Sequence, residues 1–512
     1  MSAQAGLAGR ALRGLSWNYL GTVGRIVATF ASQIVLARLL GPEPFGLFGY
    51  AFLTMTFIAL VVEMGMQQAL IQVPNLAKEV VATACGRLLF VGAVAALGVY
   101  LLADLIAVHV FSAPQAAIII RAMAPTLVVG AATAAATAVL SRDIEFKVIQ
   151  LAGLGSYVLG YLLVGVAAAL LGMGVWSLVL AWHVQTVTAC LAMIYFSPRP
   201  LTPGNPFHRL EIAKFGVVVM YTNMVNWVID SGAHVAIGRW LGPTQLGQYT
   251  VANNLVRVPA DHLVRNVQSV LFPLAARAQD NDAGLRRAYL TVVGGVGVLS
   301  FPIFTFAAVM SQPIVLLLLG PKWAVAAQVL TPLSLAMIGH AVEALCGPIL
   351  GGRGEPHVEL RVKIVTLVVM LAVLAVTASW SLAAIGWGVA LVYLFRWVWM
   401  SAAVMTRLDI SGRDMAQALL GSVVLAGICY LAAAGVGLAL EAFSASPAPL
   451  IQLSITALLT IVLSMLAVVF APWIILGPHL LALLDQLLKQ RPSMAGFPGL
   501  SRIALVAAKT GR

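Results

Sequence analysis

The chain has 512 residues, of which 61% are hydrophobic and only 9% charged, against about 45–50% and about 25% in an ordinary soluble domain. That composition excludes a water-soluble globular protein, and at roughly 20 apolar residues per membrane-crossing helix it supplies on the order of fifteen spans. Lysine and arginine outnumber aspartate and glutamate 30 to 18, a net charge of +12, but the basic residues gather in short connections between apolar stretches, which is the topology signal of a membrane protein and not the footprint of a nucleic-acid binder.

In chain order, breaks at glycine, proline and charge clusters predict helices over 15–40, 44–72, 82–109, 115–141, 148–171 and 173–196. A polar linker over 197–210 precedes six more, over 211–241, 244–276, 285–312, 323–351, 357–379 and 381–405, and a last pair covers 413–440 and 449–485. The expected architecture is an all-α polytopic membrane protein of about fourteen spans. It comprises a cytoplasmic N-terminus 1–14, six helices within 15–196, a cytoplasmic linker 197–210, six helices within 211–405, two more within 413–485 and a basic cytoplasmic tail 486–512. With the N-terminus in the cytoplasm, about 22 basic residues fall on that side and only Arg38, Arg239 and Lys322 on the other, so the positive-inside rule places both termini in the cytoplasm. The first helix reads as an uncleaved span. Cys85, Cys190, Cys346 and Cys429 stand singly in or beside apolar segments, without a CxxC pair or a histidine at metal-ligand spacing, and read as reduced packing residues.

The chain carries an internal duplication. Arg38-Leu-Leu-Gly-Pro-Glu-Pro-Phe-Gly-Leu-Phe is matched about 201 residues on by Arg239-Trp-Leu-Gly-Pro-Thr-Gln-Leu-Gly-Gln-Tyr. Each copy ends an odd-numbered span and opens the next on the outer side, so the halves are parallel repeats. Glycine and proline make the turn there, and Arg38 and Arg239 read as structural. At the same offset, Thr22, Arg25, Thr29 and Gln33 of span 1 match Asn223, Asn226, Asp230 and His234 of span 7. Both sets are spaced by three or four residues and so share one helical face. Such stripes are costly against lipid, and two readings follow: they line a shared polar cavity between the halves, or they are interhelical hydrogen-bonding groups, which accounts for Thr22 and Thr29 better than for Arg25 and Asp230.

Span 8 carries Arg257, Asp261 and Arg265 at i, i+4 and i+8, with Asn253 and Asn254 one turn earlier. Arg257 stands about 13 residues, roughly 20 Å, from the outer end of its span. The face is either an internally neutralised structural ladder or the wall of a wet, net-positive cavity, since two arginines outnumber one carboxylate. Of the other charges at membrane depth, Arg121 and Glu343 lie near predicted helix ends, where snorkelling suffices. Arg396 and Glu63 do not. Glu63, Asp230 and Asp261 are the carboxylates through which an exporter would couple to H+ or Na+; no metal site or other cofactor is expected.

The string Ala37-Arg38-Leu39-Leu40-Gly41-Pro42-Glu43-Pro44-Phe45-Gly46-Leu47-Phe48, followed by Glu63-Met-Gly-Met-Gln-Gln-Ala-Leu-Ile-Gln72, resembles the opening of the polysaccharide-transporter family, the Wzx-type flippases of O-antigen and exopolysaccharide assembly. Phe272-Pro273-Leu-Ala-Ala-Arg277 and Gly352-Arg353-Gly354 are similar to landmarks of the same family. The resemblance runs from about residue 15 to 485. It implies the multidrug/oligosaccharidyl-lipid/polysaccharide exporter fold, with two six-helix lobes in a V around a central cavity plus two C-terminal helices. It also implies translocation of polyprenyl-pyrophosphate-linked oligosaccharide across the bacterial inner membrane by alternating access, beside a polysaccharide polymerase machinery. Related peptidoglycan-lipid flippases place arginines of spans 1 and 8 near the pyrophosphate, a role that passes to Arg25 and Arg257 by helix and depth. Asn223, Asn226, Asn253 and Asn254 would then bond sugar hydroxyls, while Trp17, Tyr19, Tyr221 and Trp227 are sugar-stacking rings or interface anchors.

Two other functions compete. A drug exporter of the same fold calls for an acidic cavity, and the spans hold five basic side chains (Arg25, Arg121, Arg257, Arg265, Arg396) against four acidic ones (Glu63, Asp230, Asp261, Glu343). An integral-membrane glycosyltransferase or polymerase calls for an acid/base or metal constellation on an outer loop, where only Glu43 and Glu441 offer carboxylates.

Overall fold

The structure, a computed structural model, describes residues 24–72, 77–208, 213–277, 281–442 and 448–490. Among them every regular element is helical. Eleven helices are long and apolar enough to cross a membrane. In the numbering of the predicted spans these are span 2 (Pro42–Leu70), span 3 (Lys78–Val110), span 4 (Ala116–Arg142), span 5 (Phe146–Leu170), span 6 (Val175–Tyr195), span 9 (Asp282–Val309), span 10 (Ala326–Gly352), span 11 (Pro356–Thr377), span 12 (Leu382–Arg407), span 13 (Gly412–Ala442) and span 14 (Pro449–Phe470). The remaining three, span 1 (24–40 as described), span 7 (213–241) and span 8 (243–277), carry the polar stripes, and spans 7 and 8 meet at a kink where Gly242 has φ 83°.

Three Gly-Pro turns share one backbone solution. Gly41 (φ 80°, ψ −177°), Gly242 (φ 83°, ψ −179°) and Gly320 (φ 91°, ψ 177°) each follow a leucine and precede a proline. Only glycine adopts that region without strain, and proline suits the first helical position because its missing N–H has no helical partner to lose. The third copy, Leu319-Gly320-Pro321, follows span 9.

Span 14 is shorter than its sequence implies. The predicted helix 449–485 stops at Phe470; a short turn of helix, Pro472–Ile475, and a terminal helix, Gly477–Gln490, follow. Pro472 and Pro478 lack the N–H that a continuous helix needs, and Gly477 takes φ 63°.

By internal contacts the chain forms two compact units, Met1–Val251 and Ala252–Arg512. In the first, the duplicated turns pack on each other. A Cβ at Gly46 would lie 1.7 Å from Pro243 O, and one at Gly247 would lie 1.9 Å from Pro42 O, a reciprocal approach of backbone to backbone. Tyr50, fully buried, donates to Gly238 O at 2.8 Å beside it, and Arg239 closes the end of span 3 by donating to Val110 O at 3.2 Å. In the second unit the core gathers Tyr289, Val293, Leu345, Cys346, Ile349, Met400 and Val404. All four cysteines are free and buried.

The turn after the fourth span of each half also repeats. Ile144 (φ 63°) and Gly354 (φ 78°) are left-handed, and the next residue, Glu145 or Glu355, donates its N–H to Leu140 O or Leu350 O at 2.9 Å. An arginine at or just past the end of the sixth span of the half holds each turn: Arg199 reaches Asp143 with two bonds of 3.1 Å, and Arg407, the last residue of span 12, reaches Glu355 at 2.5 Å. The Arg407 hydrogen bond holds the Glu355 carboxyl below the usual carboxylate range.

The glycine contacts yield a stability test. Gly46→Ala and Gly247→Ala each push a Cβ into backbone and should cost at least about 2 kcal/mol, read as a lower unfolding temperature in detergent. Gly98→Ala, with open space around it, should be neutral; equal behaviour of all three would dissolve the packed-turn contact.

Candidate functional site

The second unit assembles a linked set of charges from three spans. Span 8 presents Arg257, Asp261 and Arg265 on one face, span 10 presents His340 and Glu343 at i, i+3, and span 12 presents Tyr393 and Arg396 at i, i+3, a spacing that puts each pair on one side of its helix. Asp261 lies 3.6 Å from Arg257 Nε, 3.6 Å from Arg265 Nη2 and 3.3 Å from His340 Nε2. His340 Nδ1 lies 3.6 Å from Glu343 Oε2, and Glu343 Oε1 accepts from Arg396 Nε and Nη2 at 2.9 Å. Arg257 Nη1 donates to Tyr393 Oη at 2.7 Å. The Tyr393 ring meets His340 edge-on at 5.7 Å and lies 6.0 Å from the Arg396 guanidinium carbon.

Exposure grades along this chain of contacts. Glu343 is 5% exposed and Arg396 15%, Arg257 and Asp261 are 20% and 25%, and Arg265 is 71%. The buried end is a charge-assisted ion pair in which Arg396 Nε and Nη2 both donate to Glu343 Oε1, and desolvated charge is tolerated when it is paired. The open end is a guanidinium with solvent access. Three arginines face two carboxylates, so the set is net positive with His340 neutral and more so with His340 protonated. Asp261 does neutralise part of the ladder, but it is shared among Arg257, Arg265 and His340.

Glu343 corrects the snorkelling expectation. Span 10 breaks at Ala344–Leu345, so Glu343 ends a helical segment without ending the span, and nine more residues reach to Gly352. Its carboxylate turns inward to Arg396 instead of out to the interface. Arg121, in contrast, pairs with Asp104 in exposed surroundings.

In the first unit Arg25 is exposed and its Nη1 passes over Gly153 of span 5, where an added Cβ would be 3.5 Å away. Thr29 O accepts from Ser32 Oγ at 3.0 Å, Ser32 Oγ and Tyr157 Oη are 2.9 Å apart, and Gln33 Nε2 donates to Val251 O at 3.3 Å. Tyr157 stacks on Tyr161 at 4.9 Å, and between them begins a π-helical stretch, Val158–Gly165, a widening of the helix common at functional positions. Asn223 and Asn226 are half-buried and Asp230 exposed on span 7, while Asn253 and Asn254 are half-buried on span 8. Trp227 packs on Phe57 and donates to Thr56 Oγ1 at 3.2 Å, a packing role, whereas Tyr221 is exposed. Glu63 is half-buried at the break before Met64 and Gly65. Thr22, Trp17 and Tyr19 lie outside the described residues. Among the described residues no group of three His, Cys, Asp or Glu side chains is arranged to hold a metal ion.

A family model described as "Polysaccharide biosynthesis protein" matches residues 35–328, more than half of the chain. The chain belongs to that polysaccharide biosynthesis protein family. Its relatives include the succinoglycan biosynthesis transport protein ExoT of Rhizobium meliloti (strain 1021), 27% identical over 63% of this chain, and the lipopolysaccharide biosynthesis protein WzxC of Escherichia coli (strain K12), 25% identical over 61%. The matched stretches span 65% and 64% of those two proteins, a little under two thirds of each. Among solved structures, lipid II flippase MurJ in an inward closed conformation superposes with a TM-score of 0.70 at 10% identity, covering 88% of this chain and 98% of MurJ. An inward-facing multidrug resistance MATE family transporter of the MOP superfamily superposes with a TM-score of 0.61 at 14% identity, covering 78% and 99%. These likenesses show the fold: a multi-span, all-helical membrane fold shared with both of those proteins.

The polysaccharide biosynthesis family match begins after Arg25 and ends in the first turn of span 10. Arg257, Asp261 and Arg265 lie inside it, whereas His340, Glu343, Tyr393 and Arg396, which complete the charged set, lie beyond it. Sequence reading missed His340, Tyr393, Ser32 and Tyr157 altogether; the signal for the first two was a pair of polar residues at i, i+3 in an otherwise apolar span. The pairing predicts that Glu343→Gln, which strands a buried guanidinium, costs about 3–5 kcal/mol, whereas Glu343→Leu combined with Arg396→Leu stays within about 1 kcal/mol of the parent. Thermal unfolding of the purified variants measures both, and an inert Glu343→Gln would mean that the pair does not bear on stability.

Proposed function

We propose that this protein is a flippase that carries polyprenyl-pyrophosphate-linked oligosaccharide repeat units of an exopolysaccharide, O-antigen or capsule across the bacterial inner membrane by alternating access, without making or breaking covalent bonds. The carrying observation is the net-positive charged set of spans 8, 10 and 12, buried at Glu343–Arg396 and open at Arg265. A pyrophosphate with its sugars cannot enter hydrocarbon unaided, and guanidinium forks are the groups that hold it by charge-assisted hydrogen bonds. Arg257 and Arg265 would take the pyrophosphate on span 8 and Arg25 on span 1, with Asn223, Asn226, Asn253, Asn254 and Thr29 offering amides and a hydroxyl to the sugars. Family membership and the printed roles of ExoT, succinoglycan transport, and WzxC, lipopolysaccharide biosynthesis, support a saccharide cargo. The basic connections support an orientation with both termini in the cytoplasm, so that loading faces synthesis and release faces the polymerase machinery.

The MATE likeness keeps the drug exporter as the second reading, but a cationic drug meets three arginines and two carboxylates in the second unit and would be repelled. Glu63, Asp230 and Asp261 are the carboxylates through which an H+ or Na+ gradient would drive the cycle.

Proteoliposomes of the purified protein with a fluorescent polyprenyl-pyrophosphate oligosaccharide test the proposal. Protein-dependent transfer between leaflets is expected, with Arg25→Ala and Arg257→Ala each slowing it by at least about tenfold, the weight of one charge-assisted contact, while folding and insertion persist. Wild-type rates from both variants would refute the arginine assignment. Transfer of cationic drugs with no transfer of the lipid-linked sugar would refute the cargo.

A further inference from the structure

The terminal helix Gly477–Gln490 is seated, not trailing. Leu481 is 1% exposed, Leu480 lies against Gly294 and Gly295 of span 9, and the preceding Ile475 O sits where a Cβ at Gly421 of span 13 would be 1.8 Å away. Between this helix and the ends of spans 8 and 9 on the side of the basic connections remains a groove of about 580 Å³. Its walls are apolar, formed by Leu271 and Leu274 of span 8, Val292 of span 9 and Leu483 of the terminal helix, and its rim carries Arg287 and His479.

The rim charges are not equivalent. Arg286 is committed to Asp414, which also accepts from Ser411. The Arg287 side chain is exposed and has no hydrogen-bond or ion-pair partner among the described residues. Burial, together with Arg286 and Arg287 and against Asp414, lowers the His479 pKa below the usual histidine value, so at neutral pH it is an uncharged donor and Arg287 supplies the charge.

We infer that this groove binds an anionic phospholipid, with acyl-chain ends in the apolar slot and the phosphate head on Arg287 and His479. The volume falls in the range of about 300–1,000 Å³ typical of ligand sites, room for the ends of acyl chains and too small for a whole polyprenyl chain. A water-soluble anion would gain nothing from the leucine and valine walls, and a zwitterionic lipid would set its own cation beside Arg287. Anionic lipid at the cytoplasmic surface is attracted to such juxtamembrane cations. The bound lipid would fasten the terminal helix to spans 8 and 9. This site stands apart from the transport reading and does not rest on it.

Native mass spectrometry of the full-length protein in detergent tests the site, with added phosphatidylglycerol, phosphatidylcholine of the same chains, or a polyprenyl pyrophosphate. One phosphatidylglycerol should persist where phosphatidylcholine is lost. Arg287→Gln should weaken phosphatidylglycerol about tenfold, towards the phosphatidylcholine level. Ala482→Trp, on the exposed terminal helix and filling the slot, should remove the tight lipid while the protein stays monodisperse. Equal retention of the two phospholipids, unchanged binding in both variants, or one-for-one displacement of phosphatidylglycerol by the polyprenyl pyrophosphate would each overturn the inference.

Discussion

The constraint on which the rest depends is that charge at membrane depth must find a partner inside the protein. In hydrocarbon a lone guanidinium is expensive, and the cost falls only through pairing, hydration or escape to the interface. Span 8 cannot satisfy its two arginines with one aspartate, so spans 10 and 12 contribute. Glu343 and Arg396 close the buried end of the set with two bonds of 2.9 Å, and His340 links that pair to Asp261. The consequence is directional. The two 2.9 Å bonds of Arg396 to Glu343 Oε1 make the buried end the tighter one, and the contacts of Arg257 and Arg265 with Asp261 at the other end are looser, at 3.6 Å.

Duplication built the scaffold but not the charges. The outer Gly-Pro turns, the left-handed turns after spans 4 and 10, and the arginine clasps on those turns recur in both halves because each meets a backbone requirement that either copy must meet. The middle of the spans has diverged. At the 201-residue offset, Arg257, Asp261 and Arg265 stand opposite Thr56, Leu60 and Met64 of span 2, and Thr56 spends its hydroxyl on Trp227. Arg25 of span 1 stands opposite Asn226 of span 7. Charge therefore entered different helices of the two halves, and a symmetric frame carries an asymmetric set of polar groups.

How much of this was legible in the sequence follows from the range of each interaction. Span number, the outer turns and the Arg257-Asp261-Arg265 face are local patterns, set by apolar length, by glycine and proline, and by helical spacing, and the structure places them where those rules put them. His340 and Tyr393 left only a weak signal, an i, i+3 polar pair in an otherwise apolar span, and such a pair does not name its partner on another helix. Glu343 misled for the same reason: distance from a predicted helix end is a local quantity, while its contact with Arg396 spans 53 residues. The stop at Phe470 was legible in Pro472, Gly477 and Pro478, and continuous hydrophobicity up to Leu484 masked it. The reciprocal Gly46 and Gly247 contacts were half legible, since the repeat marks both turns while only coordinates show that one packs on the other.

The same distinction between local and long-range determinants separates what the family shares from what sets this member apart. The family match covers residues 35–328, which takes in all three Gly-Pro turns, the first arginine clasp and the span 8 ladder. The groups that fix how strongly that ladder is neutralised, His340, Glu343, Tyr393 and Arg396, lie past its end. A relative could keep the fold, the span 8 arginines and the net charge of the set and still present a different local field by changing residues 343 and 396 together, because a buried pair can be replaced by apolar side chains at little cost whereas either partner alone cannot. Such coupled replacement leaves the packing of spans 10 and 12 intact and alters only the field at Arg257. The field at the span 8 ladder therefore has a route to change that leaves most of the segment carrying the family signature unaltered.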